Sequence, residues 1–203
     1  MDVHLETDRM ALRRFTEADV DGLAAPHGHP EVMRHIDDGR PVPRAVAARR
    51  TLPSFLREYG ELPGGHGCFA AADKGSGAFL GWFSLRPASS VGLDGGTEPG
   101  YRLLPSAWGR GYATEGARAL VDRAFTELGA ERVVATTMTV NAASRRVMEK
   151  AGLSLVRTFF EEWPEYIEGA EHGDVEYAVT REARDGDMAR EKDKDKASLG
   201  SAR

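Results

Sequence analysis

The chain has almost no cysteine: Cys68 alone in 203 residues. No intramolecular disulfide can form, and a cluster of cysteines around a metal is excluded. Long apolar runs are also missing. Nothing approaches the ~18 consecutive apolar residues of a membrane-spanning helix. Met1 to Arg14 mixes charged and apolar residues, with no apolar signal-peptide core. A basic excess is absent too, since the formal net charge is -5 and the pI is about 5.7. Nucleic-acid binders usually carry such an excess. These absences predict a cytoplasmic protein with neither a membrane nor a nucleic acid as partner.

Enough apolar sequence is present for a core, with 41% hydrophobic and 29% charged residues. From Arg181 onward there is no aromatic residue, and Arg190-Glu-Lys-Asp-Lys-Asp-Lys196 alternates in charge. We expect a single domain over 1–182 and a disordered tail over 183–203. Such a tail cannot bury enough apolar surface to offset its ordering entropy. A short solvated helix is the alternative, because alternating charges can support one. Residues 181–203 carry a net +1, which leaves -6 on 1–180. That balance is compatible with a cationic substrate such as an amine.

The body reads as mixed α and β. Arg9 to Phe15 alternates like a strand, and Thr16 with Asp19 resembles a capping box. Pro30 opens a short helix. Residues 43–59 have a helical pattern that Pro53 is expected to break or kink. Cys68–Asp73 and Ala78–Arg86 flank Lys74-Gly-Ser-Gly77 and predict a hairpin. A glycine-rich loop over 87–96 is expected to be mobile. From Thr97 the pattern is strand, helix, strand, helix, strand, with a further strand near 173–180. Asn141 is placed to cap the second of those helices. The predicted fold class is a mixed, largely antiparallel central sheet with helices on both faces.

The chemistry is expected at Trp108-Gly-Arg-Gly-Tyr-Ala-Thr-Glu115, between a strand and a long helix. Gly109 and Gly111 lack Cβ and allow the backbone to curl against a ligand. The free N–H groups of the helix start then form an anion site, to which Arg110 could add a charge. The spacing is neither a P-loop nor a dinucleotide fingerprint, because no Gly-Lys-Ser/Thr follows and Thr114 stands where the third glycine belongs.

Three spaced blocks resemble one family. Gly111-x-Ala113 after Trp108 resembles the acyl-CoA motif of the GNAT superfamily of N-acyltransferases. The full run around it looks like the branch that holds the ribosomal-protein N-terminal acetyltransferases. Asn141-x-x-Ser144-x-x-x-x-Glu149-Lys150-x-Gly152 and Glu98-Pro-Gly-Tyr101 are similar to two further signatures of that branch. Pro99, where the branch has an aliphatic residue, departs from it and removes a ladder donor.

The resemblance implies acetyl-CoA as cosubstrate and no metal. It places the pyrophosphate on Gly109, Arg110, Gly111, Tyr112, Ala113 and Thr114. It lays the pantetheine arm along Leu103 and Leu104, with Asn141 meeting it or fixing the helix. It implies direct attack by a primary amine, so no enzyme nucleophile is needed and Cys68 reads as a core residue. Glu98 is the expected base. Ser144 shares a helix face with Val147, Met148 and Ala151, and is the expected donor to the departing thiolate. Trp82, Tyr101, Glu161, Glu162, Trp163 and Tyr166 are expected to line the acceptor pocket. His27, His29 and His35 read as surface residues rather than metal ligands. The acceptor is expected to be a protein N-terminus, with a small-molecule amine as the alternative. A homodimer is compatible with the family, and a CoA-binding module without catalysis is the non-enzymatic alternative.

Overall fold

Among the described residues, apolar alternation and tight turns lay down eight strands in one sheet, ordered β1-β2-β3-β4-β5-β6-β8-β7. The computed structural model describes residues 3–160, 166–187 and 189–190. One half of the sheet is antiparallel throughout. It comprises β1 (Val3–Glu6), β2 (Met10–Arg14), β3 (Gly67–Asp73), β4 (Phe79–Pro87) and β5 (Thr97–Leu103). The other half comprises β6 (Arg132–Met138), β7 (Ser154–Phe159) and β8 (Asp174–Thr180), with β8 inserted between the other two.

One registered pair joins the halves. Thr97 lies opposite Val133 in the single parallel contact, between β5 and β6. Two residues further on, Pro99 has no N–H with which to extend a ladder. Beyond it a cleft opens, walled by residues 98–103 of β5 and 136–138 of β6. The split in the sheet is therefore what creates the site.

Period-2 alternation on β4 divides the core between the two faces. Trp82 packs with Phe15, Leu23, Leu52, Phe55, Cys68 and Ala70, beneath α1 (Val20–His27) and the helix that ends in α4 (Leu52–Glu61). Phe83 and Leu85 pack on the opposite side, with Leu120, Val121, Ala124 and Phe125 of α5 (Tyr112–Thr126) and Met148 of α6 (Ala142–Lys150). α5 sits very close to the sheet. A Cβ on its Gly116 would lie 2.3 Å from the Phe83 ring. The short α2 (Pro30–Met33) buries Val32 and Met33.

Two expectations need correction. Pro53 does not break its helix. α3 (Arg44–Val46) runs into a π-helical stretch, Ala47–Thr51, and then into α4 (Leu52–Glu61). Pro53 falls in the first turn of α4, and the wider hydrogen-bond step before it absorbs the N–H it lacks. The tail is the second case, because residues 183–187 are helical, as the alternative reading of that segment had it, rather than disordered. Arginines do there what aromatics would do elsewhere. Arg181 donates to the carbonyls of Phe125 and Ala130 at 2.9 and 2.8 Å, and Arg184 donates to Asp122 at 2.7 Å. Both guanidinium groups lie over the Phe125 ring. Residues 191–203 lie outside the described residues. The loop over 87–96 contains a 3-10 turn, Ala88–Val91, and Arg132 donates to the carbonyl of Asp94 at 2.8 Å.

Candidate active site

Strand register sets out the acceptor wall. On β4 and β5, Arg86 lies opposite Glu98, Ser84 opposite Gly100, and Trp82 opposite Arg102. All six share one face of the sheet, the one covered by α1 and α4. Tyr101 and Leu103 take the other face, toward α5 and α6. The cleft between β5 and β6 has a volume of about 1100 Å³ and reaches both faces.

Glu98 lines this cleft, and its Oε2 is buried with no hydrogen-bond partner among the described residues. Burial raises its pKa to about 7, against the opposing pull of the Arg86 guanidinium. Arg86 is itself engaged with Glu58 at 2.8 Å, so its charge is largely spent there. A carboxyl poised near neutrality can take a proton at pH 7 and release it again.

Across β5, the Tyr101 hydroxyl donates to Ser144 Oγ at 3.2 Å. Burial raises the Tyr101 pKa, with the Ser144 contact drawing it partly back, so the phenol stays protonated. Asn141 caps α6. Its Oδ1 accepts from the Ser144 N–H at 3.2 Å, and its amide donates to Thr137 on β6 at 3.1 Å. The cap thereby fixes Ser144 against the sheet.

The glycine loop turns as its residues require. Gly109 and Gly111 have φ of 68° and 83°, in the left-handed region. The first bond of α5 runs from the Glu115 N–H to the Gly111 carbonyl. The N–H groups of Tyr112, Ala113 and Thr114 precede that ladder and are free to face an anion. A Cβ on Gly109 would meet nothing within 4 Å, so the loop leaves open space beside it. Gly109, Gly111, Ala113 and Thr114 line the cleft, whereas Leu104, Arg110 and Tyr112 do not. The Leu104 N–H is spent on the Leu80 carbonyl at 2.9 Å. The Tyr112 hydroxyl turns back to Asp73 at 2.7 Å, and the Arg110 guanidinium lies over the Tyr112 ring.

Other sequence expectations fare unevenly. Trp82, Tyr101, Leu103 and Asn141 line the cleft. Glu161, Glu162 and Trp163 lie outside the described residues. Tyr166 is exposed and donates to Glu171 instead of lining the cleft. His27 is buried, not at the surface, and its Nε2 lies 3.2 Å from the Trp82 indole nitrogen. It stacks on Trp82 of β4, a contact that no local pattern around His27 announces. Among the described residues, no group of three or more His, Cys, Asp or Glu side chains converges as metal ligands. No helix of the described residues is long and apolar enough to cross a membrane.

Two arginines escaped the sequence reading. Arg9, at the turn before β2, pairs with Glu115 at 2.6 Å and donates to the Arg110 carbonyl at 2.9 Å. Thr7 adds a bond to the same carboxylate at 2.6 Å. Burial pushes the Glu115 pKa up, but these bonds outweigh it and hold the group ionised. Arg9 and Glu115 are 106 residues apart, so no motif could join them. Arg102 is the second, reaching from β5 toward His27 and Asp37.

Comparison with known proteins now decides the family. The acetyltransferase (GNAT) domain family matches residues 9–154. The chain belongs to the GNAT acetyltransferase family. This GNAT domain is 40% identical over 159 residues to the FsC-acetyl coenzyme A-N(2)-transacetylase of Aspergillus fumigatus. That match covers 75% of this chain and 66% of the fungal enzyme. Solved structures share its fold, among them two acetyltransferases with bound CoA. RimL, a ribosomal L7/L12 alpha-N-protein acetyltransferase in complex with coenzyme A, superposes with a TM-score of 0.70 at 17% identity. It covers 90% of this chain and 99% of its own. The spermidine N-acetyltransferase of Vibrio cholerae, with CoA and spermine, gives 0.69 at 14% identity, over 86% of this chain and 95% of its own. The chain is an acetyl-CoA-dependent N-acetyltransferase of this fold, and the left-handed glycine loop with its free N–H groups fits the phosphates of that cosubstrate.

Proposed function

We propose that the protein transfers acetyl from acetyl-CoA to a primary amine by direct attack within a ternary complex, with Glu98 as the base. The observation that carries this reading is the buried, unpartnered Glu98 oxygen in the cleft, with a pKa near 7. The N–H groups at the start of α5 hold the pyrophosphate, and the split between β5 and β6 takes the pantetheine arm. As the amine nitrogen bonds to the thioester carbon, Glu98 receives the proton the nitrogen loses, directly or through one water. The carbon–sulfur bond breaks, and the Tyr101–Ser144 hydroxyl pair hydrogen-bonds the sulfur as its charge develops. Cys68 takes no part. It is buried, and burial raises its thiol well above the usual range.

An α-amine has a pKa of about 7.7–8.0, whereas a lysine side chain sits near 10.4. A base poised near 7 suits the first. Both a protein N-terminus and a small molecule can supply such an amine. Proteins acting on each share the fold, and the N(2) nitrogen in the fungal relative's name supports a nitrogen acceptor. The test is calorimetric titration with acetyl-CoA, followed by thiol release over a panel of amines and short peptides. We expect micromolar binding and amine-dependent thiol release. A folded protein that binds acetyl-CoA without releasing thiol to any amine would favour the non-catalytic module.

A further inference from the structure

We propose that Arg102 anchors a carbonyl or carboxylate oxygen of the acceptor, so that the amine taken by this enzyme carries an acyl oxygen on the same molecule. This rests on the acetyl-transfer reading and narrows its substrate class.

Two hydrogen-bond donors face the His27 ring. Trp82 Nε1 lies 3.2 Å from His27 Nε2, and Arg102 Nη1 lies 3.2 Å from His27 Nδ1. An indole N–H only donates, and so does a guanidinium. Burial first, and the Arg102 charge second, lower the His27 pKa to about 4. The ring is therefore neutral near pH 7, with one acceptor nitrogen and one N–H. It can accept from one of its two neighbours. The Trp82 indole N–H is directed at Nε2, so the one acceptor nitrogen of the ring cannot satisfy both donors.

Among the described residues, that leaves Arg102 short of acceptors. Its remaining contacts are the Met33 sulfur at 3.6 Å, a weak acceptor, and the Asp37 carboxylate at 3.3 Å. A guanidinium presents five N–H donors. Asp37 is 64% exposed at the rim, while the Arg102 side chain is only 16% exposed. Asp37 also sits at φ 54°, the single non-glycine residue in the left-handed region among those described. Burial lowers the Arg102 pKa in spite of Asp37, as expected for an under-compensated charge.

Geometry holds the group ready for a ligand. Arg102 lies on the same face of β5 as Glu98 and lines the cleft. Its guanidinium lies 5.4 Å from the Trp82 ring centroid. Its backbone is pressed against β4, where a Cβ on Gly81 would lie 2.2 Å from the Arg102 carbonyl oxygen. A fork fixed in this way suits a planar oxygen acceptor. A polyamine offers only more donors and would leave the same deficit.

The experiment compares glycine, glycinamide and ethylamine, each at equal concentration of neutral amine, in wild type and Arg102→Met. Thiol release gives kcat/KM. Tryptophan emission, titrated with the same probes in the presence of CoA, gives binding without turnover. We expect the two acyl-bearing amines to exceed ethylamine by about tenfold or more in wild type. Arg102→Met should erase that advantage and the saturable emission change, and Arg102→Lys should restore part of each. The glycine and glycinamide arms separate a carboxylate from a neutral carbonyl. Equal use of all three amines by wild type, or an advantage that survives in Arg102→Met, overturns the proposal. Failure of the acetyl-transfer reading looks different, since acetyl-CoA would then not bind wild type in the calorimeter. Should Arg102→Met misfold, Arg102→Gln, which keeps a polar side chain but removes the charge and the fork, should lose the same discrimination.

Discussion

Glu98 Oε2 has no partner among the described residues, and that one atom couples stability to rate. A carboxyl raised from 4.5 to about 7 keeps its proton in the folded state after the unfolded chain has lost it. Stability therefore falls as pH rises from about 4.5 to 7. Glu98→Gln should melt higher than wild type at pH 8, by the equivalent of about 1–3 kcal/mol, and the same at pH 4. Its kcat/KM should lose the limb that rises through pH 7 in wild type, so the rate deficit is largest above pH 7. A thermal melt and a pH profile of thiol release check both halves. On the opposite face, Tyr101→Phe and Ser144→Ala each remove a hydroxyl from the same pair. Each should lower kcat by about a hundredfold while calorimetry shows little change in acetyl-CoA affinity.

At the scale of elements, the start of α5 is held by a strand turn far away in sequence. Glu115 would compete with phosphates at a helix N-terminus, but Arg9 and Thr7 draw its carboxylate toward β2. Arg9→Met frees that charge and loosens the Arg110 carbonyl. The KM for acetyl-CoA should rise about tenfold, an effect of about 1.4 kcal/mol. The middle of α5 makes a different demand. Gly116→Ala drives a methyl into the Phe83 ring and should cost about 1–3 kcal/mol, read as a lower urea midpoint. The glycines of the loop were legible in the sequence because a left-handed turn needs no distant partner. The Arg9 clamp was not, because its two ends meet only through the sheet.

Within the sheet the two halves meet at one registered pair, Thr97 to Val133, while a single core under α5 and α6 spans both. A ligand lying in the split touches both halves and should tie them together. At a hundred times its Kd, acetyl-CoA should stabilise the fold by about 2.7 kcal/mol. Hydrogen exchange should show new protection on β5 and β6 together. Protection confined to the α5 loop would place the cosubstrate outside the split.

The resemblance of three spaced blocks pointed to the family, and the sequence by itself determined the order of elements from β2 onward and the position of the glycine loop. The elements and the loop rest on local signals: alternation along strands, a cap at Asn141, two glycines before a helix. Glu98 and Ser144 were also visible, because they sit inside spaced motifs. Tertiary structure decided the rest. It buried His27 against Trp82, moved Tyr112 away from the cleft to Asp73, and carried Pro53 inside a helix through a π turn. It also left Arg102 with more donors than acceptors. These outcomes depend on what faces a residue across a strand or helix contact, and a period-2 or period-3.6 pattern encodes only which face is buried, not which partner waits there.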